Sequence, residues 1–125
     1  MSFAPPKDHR MYQYSYADIL ADDADDARAR ERQVLDQAVA LLLHAADGAP
    51  GSAEESKAVD FTSELWAVFI KDLAHPANAM PDELRASLMS IGLGVMAECS
   101  RIALGTSRDL AGVAEICGII RDGLK

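Results

Sequence analysis

Residues Glu64–Ile91 read ELWAVFIKDLAHPANAMPDELRASLMSI, two helical patterns parted by one break. Up to Leu73 the apolar residues recur at three and four residues, the spacing of a helix. His75-Pro76-Ala77-Asn78-Ala79-Met80 breaks that pattern. His75 stands at the helix end, where a cation suits the dipole, and Asn78 is suited to bond its own backbone in the turn. Pro81 then pre-sets the backbone for the first turn of a new helix, and Asp82-Glu83 complement its dipole. Two helices therefore meet across one short turn, and the remaining chain must pack around them.

Upstream, Ser52-Ala53-Glu54-Glu55 reads as a capping box that opens the first of these helices. Ala58, Phe61, Leu65, Phe69 and Leu73 form one stripe of it, with Val59, Trp66 and Ile70 beside. Asp47-Gly48-Ala49-Pro50-Gly51 ends an earlier helix, whose stripe is Val34/Leu35, Ala38, Leu41/Leu42 and Ala45. Val39, Leu43 and Ala46 widen that stripe. The acids of Ala21–Asp26, followed by Arg28, Arg30 and Arg32, match the charge bias of that helix's N-terminus. They lack the ligand spacing and central Gly of a calcium loop.

Downstream, the helix after Pro81 carries Leu84, Leu88, Ile91, Val95 and Ile102, flanked by Met89, Leu93 and Met96. Ala86, Ser90 and Gly94 make a row of small residues on it, with Gly92 nearby. Such a row permits close approach, either by a neighbour inside the monomer or by a partner helix. Gly105-Thr106-Ser107 ends this helix and is expected to cap a fourth, carrying Leu110, Val113, Ala114, Cys117, Ile120 and Leu124. The reading is all-α: a single small bundle-like domain of about four helices over residues 16–125, after a flexible tail over residues 1–15. Met11–Tyr16 gathers all three tyrosines and is expected to pack on the body as a lid, or else to meet a partner.

Composition narrows the function by exclusion. Half the residues are apolar but only 6% are aromatic, a mixture that suits packed helices. A net charge of −8 disfavours a broad phosphate-binding surface, and so direct nucleic-acid binding. No apolar run is long enough for a membrane span, and the N-terminus lacks the apolar core of a signal peptide, so the expected compartment is the cytoplasm. Cys99 and Cys117 fall at apolar helix positions and read as buried thiols. His9, His44 and His75 lie apart, without ligand spacing, so no metal site is expected. No phosphate loop or nucleophile–base constellation stands out, so neither a catalytic site nor a cofactor is expected. A helical binding module remains, working through an apolar groove with a polar rim.

Leu65-Trp66, Phe69, Asp72-Leu73, Asn78, Pro81, Leu84-Arg85-Ala86, Leu88 and Ser90-Ile91 together resemble the core signature of the FlaF family, small flagellar biosynthesis proteins of alphaproteobacteria. The resemblance continues into Ile116 and Ile120–Leu124, and upstream to Tyr16. It departs at Thr62 and Cys117, where the family commonly has Asn. Relatives tend to begin near the position of Met11, and residues 1–10 receive no role. The resemblance implies a cytoplasmic, non-enzymatic protein that binds flagellin in a chaperone-like role and supports its synthesis, secretion or assembly. It also implies a second regulator, FlbT, as a possible partner. The alternative is a post-transcriptional regulator that acts through FlbT without stable flagellin binding. The expected partner surface is Trp66 and Phe69 with Leu88, Met89 and Met96, methionine suiting an adaptable apolar contact. Asp72 and Arg85 flank the turn and are expected to pair across it. The broad apolar stripes would equally suit a homodimer.

Overall fold

The computed structural model describes residues 16–124, with side-chain surroundings from Asp26 onward. The tail at 1–15, which holds the tyrosine cluster up to Ser15, and most of the acidic side chains of Ala21–Asp26 lie outside those described. Four helices follow one another: α1 (Tyr16–Ala46), α2 (Ala53–Ala74), α3 (Asp82–Ala103) and α4 (Leu110–Gly123). The fold is a small all-α bundle. α1 begins at Tyr16, so the acids of Ala21–Asp26 sit beyond its first turn rather than at its N-terminus.

Short connections make successive helices antiparallel. α1 packs against both α2 and α4, α2 packs against α3, and α3 meets α4 along a brief seam. Arg121 bonds Asp36 at 2.8 Å and Arg108 reaches the Ala45 carbonyl at 3.5 Å, so α4 runs antiparallel to α1. The result is an up-down-up-down arrangement. At 14 residues α4 spans only about 21 Å, against about 46 Å for the 31 residues of α1. Just past α4 the Leu124 carbonyl accepts from the Arg32 guanidinium at 3.2 Å.

The core is one cluster drawn from all four helices. α1 supplies Leu35, Ala38, Leu42 and Ala45, spaced to form one helical face. α2 supplies Ala58, Val59, Thr62, Trp66, Phe69 and Leu73. Trp66 is the largest of the fully buried side chains. Its indole N–H points at Cys117 Sγ on α4, 3.5 Å away, while its ring lies against Gly92 on α3. The tryptophan thus ties three helices together. Removing so large a buried side chain typically costs about 3–5 kcal/mol. Thr62, the other buried polar residue of this helix beside Glu55, donates its hydroxyl to the Ala58 carbonyl at 2.8 Å. That bond satisfies the hydroxyl donor inside the core.

The helix ends are fixed locally. Ser52 Oγ accepts from the Glu55 N–H at 3.1 Å, and the Glu55 carboxylate reaches back one residue further than an ordinary capping box, to the Gly51 N–H at 3.0 Å. The same carboxylate meets Arg108 at 3.1 Å and so joins the α1–α2 and α3–α4 connections at one end of the bundle. Gly105, at φ +81°, ends α3: its N–H donates to Ile102 and the next N–H, of Thr106, donates to Arg101. The cap of α4, however, is Asp109 and not Gly105-Thr106-Ser107, because Asp109 Oδ1 takes the Gly112 N–H at 3.1 Å. Ser107 instead bonds Glu98 on α3.

Several apolar residues expected in the core lie at the surface. Leu84, Ile91 and Leu93 are exposed along α3, since only one side of that helix is covered. Among the small residues, Gly92 alone is buried; Ala86, Ser90 and Gly94 face outward. Tight packing inside the monomer thus explains Gly92 and nothing else in that row.

Candidate functional site

Between the middle of α1 and the middle and C-terminal part of α2 lies an open apolar groove of about 550 Å³. Ala27, Val34 and Leu35 form its α1 wall, and Phe61, Leu65, Val68 and Phe69 its α2 wall. Phe61, Leu65, Val68 and Asp72 follow one another at four, three and four residues, which aligns them on one edge of α2. Val68 is 64% exposed, on the edge of α2 just outside its buried face. Phe69 closes the floor, its ring tilted against Trp66 with centroids 5.3 Å apart. The groove is therefore underpinned directly by the central tryptophan.

The rim is charged: Arg30 and Glu31 on α1, Glu64 and Asp72 on α2. Glu31 accepts from Arg28 at 3.0 Å. Burial raises the pKa of its carboxyl above the usual carboxylate range; Arg28 opposes that shift, while the nearby Asp72 charge adds to it.

A second, shallower apolar face lies between α1 and α4. Val39, Leu43, Ala114 and Ile119 line a hollow of about 330 Å³ there, with Leu43 and Ile119 largely exposed. Among the described residues no three His, Cys, Asp or Glu side chains stand together as a metal site, and no helix is long and apolar enough to cross a membrane.

The residues expected to form a partner surface separate in the fold. Trp66 is wholly inside and Leu88 is buried, so neither is available to a partner without opening the bundle. Met89 and Met96 are half-buried against the core from α3. Phe69 alone of the five reaches the groove. Burial uses the most apolar stripes first, which takes Trp66 and Leu88 inside and leaves Met89 and Met96 half-covered. Val68 was the overlooked signal: an apolar side chain on α2 that belongs to neither core stripe.

The turn residues have separate tasks. Asn78 donates to the Asp72 carbonyl at 3.2 Å and accepts from the Met80 N–H at 3.0 Å. Pro81 stands at the N-cap of α3, and its carbonyl takes the Arg85 N–H. Arg85 does not pair with Asp72. Its guanidinium donates to the carbonyls of Leu73 and His75 at the end of α2, at 3.0 and 3.4 Å, and bonds Asp82 in its own helix at 2.6 Å. The last carbonyls of α2 lack intrahelical donors, and they offer a fixed target that an exposed carboxylate does not. Asp72 is left on the groove rim. Thr62 and Cys117, where the resemblance would place amides, both lie inside, so that difference concerns the core around Trp66 rather than the surface.

No curated protein and no solved structure matches the chain. The family model described as flagellar protein FlaF matches residues 12–124, nearly its whole length and all four helices. This chain therefore belongs to the FlaF family of flagellar proteins.

Proposed function

We propose that this protein binds flagellin in the cytoplasm, in a chaperone-like role that supports flagellin synthesis, secretion or assembly, without catalysing a reaction. The observation that carries this reading is the open groove between α1 and α2, in a chain of a flagellar family. Val34 and Val68 are exposed there side by side with half-buried Leu65, beside a charged rim. Such a surface suits an amphipathic segment that would otherwise aggregate before assembly.

Size-exclusion chromatography with light scattering tests it, run on the protein alone and then with soluble flagellin from the same organism. A stable complex is the expected result. Absence of a complex at micromolar concentrations would overturn the reading. The second apolar face, at Leu43 and Ile119, favours one alternative: regulation through another protein such as FlbT, without stable flagellin binding. The same experiment with FlbT in place of flagellin separates the two.

A further inference from the structure

We propose that the α1–α2 groove seats a single amphipathic helix of a partner protein, one whose apolar stripe is flanked by Lys or Arg. This inference rests on the partner-binding reading above and names the chemistry that the groove selects. Along α2 the lining runs from Phe61 to Asp72, about 16 Å or three helical turns. That length matches the i, i+3/i+4, i+7 anchors of a helix laid in a groove. Seven of the groove's eleven lining residues are apolar, and its charged groups are spread over both walls. A small-molecule site would instead aim a few polar groups at one point inside.

Charge decides which helix fits. Three of the four charged lining residues are acids: Glu31, Glu64 and Asp72, against Arg30. Glu31 is engaged by Arg28, whereas among the described residues neither Glu64 nor Asp72 has an ion-pair partner. These two carboxylates on the α2 edge, eight residues apart, can meet cations spaced about two turns apart on an incoming helix. A second copy of this chain is a poor occupant, because each copy carries −8 and would bring one acidic rim against another.

The test uses the full chain and two synthetic helical peptides that share one apolar stripe, flanked by Lys in one and by Glu in the other. Fluorescence anisotropy reads their binding. The Lys-flanked peptide is expected to bind about tenfold tighter or more, and to weaken as salt rises through the range where the Debye length shortens. Val68→Glu and Glu64→Lys should each lower its affinity by about tenfold, since one blocks the floor and the other reverses the rim. Both positions are exposed, so both variants should fold, and Ile119→Glu on the far face should leave binding unchanged. Equal affinity for the two peptides, binding of neither, or indifference to Val68→Glu would overturn the proposal. A homodimer that Val68→Glu dissociates would place a second copy in the groove and overturn it as well. Flagellin capture that ignores Val68→Glu sinks the groove and spares the flagellin reading. Tight Lys-flanked binding without flagellin capture supports the groove and sinks that reading.

Discussion

A Cβ built on Gly92 would stand 2.6 Å from Cε3 of Trp66, so α3 approaches α2 with its backbone against the face of the central ring. Trp66 is held on its other side by α4 and cannot retreat, because its indole N–H faces Cys117. Gly92→Ala is therefore expected to lower stability by about 1–3 kcal/mol, overpacking outweighing the gain in helix propensity. Gly94 lies two residues further on with open space around it, and Gly94→Ala should raise stability by up to about 1 kcal/mol. Urea midpoints of the two variants, moving in opposite directions, check the pair.

Arg85 closes the end of α2 from α3. Arg85→Ala leaves the Leu73 carbonyl without that donor and is expected to cost about 1–2 kcal/mol. Asp72→Ala should change stability by less than about 0.5 kcal/mol, since Asp72 is exposed and does not meet Arg85. Thermal or urea unfolding of both variants distinguishes this arrangement from a pair across the turn, which would make the two losses equal.

Two carboxylates give opposite dependences on pH. Hydrogen bonding from Ser107, and then from Arg101, holds Glu98 below its ordinary pKa. Its stabilisation is complete above the unfolded carboxyl's pKa of about 4.3 and is lost as pH falls through the lower folded value. Glu98→Gln should thus destabilise at neutral pH and converge on the parent protein in acid. Glu31 is shifted upward by burial, so its charged form opposes folding at neutral pH. Glu31→Gln should gain stability at neutral pH, and that gain should shrink as the solution is acidified. Denaturation midpoints measured across the carboxylate range read both slopes, and parallel curves would contradict them.

Burial raises the pKa of both thiols, Cys99 and Cys117, and the indole N–H of Trp66 partly offsets the shift at Cys117. Neither should react with a thiol reagent at an appreciable rate in the native protein, and both should react on unfolding. Cys117→Ala leaves the Trp66 N–H without an acceptor in the interior, at an expected cost of about 1–3 kcal/mol. Cys117→Ala and Cys117→Ser compared by urea denaturation isolate this term: the hydroxyl should recover part of the loss.

The four helices and most of their ends are legible along the chain's own sequence. Helical spacing, the Ser52–Glu55 cap, the turn before Pro81 and the terminator at Gly105 are local features, governed by backbone donors and acceptors within a few residues. It also carried the family, because ordered signature residues survive as a pattern along the chain. It did not determine which apolar stripe would be used up in the core. Trp66, Leu88 and Val68 are all apolar side chains on amphipathic helices, and only packing makes the first two inaccessible and the third free. Nor did it determine that Arg85 would choose the carbonyls of Leu73 and His75 over the carboxylate of Asp72. Those outcomes depend on the rotation of each helix about its axis, set by neighbours far along the chain, such as Gly92 receiving Trp66 and Leu124 meeting Arg32. The groove exists because burial takes one face of α2 and leaves its edge beside α1 uncovered, a relation among three helices that no single stretch of the chain contains.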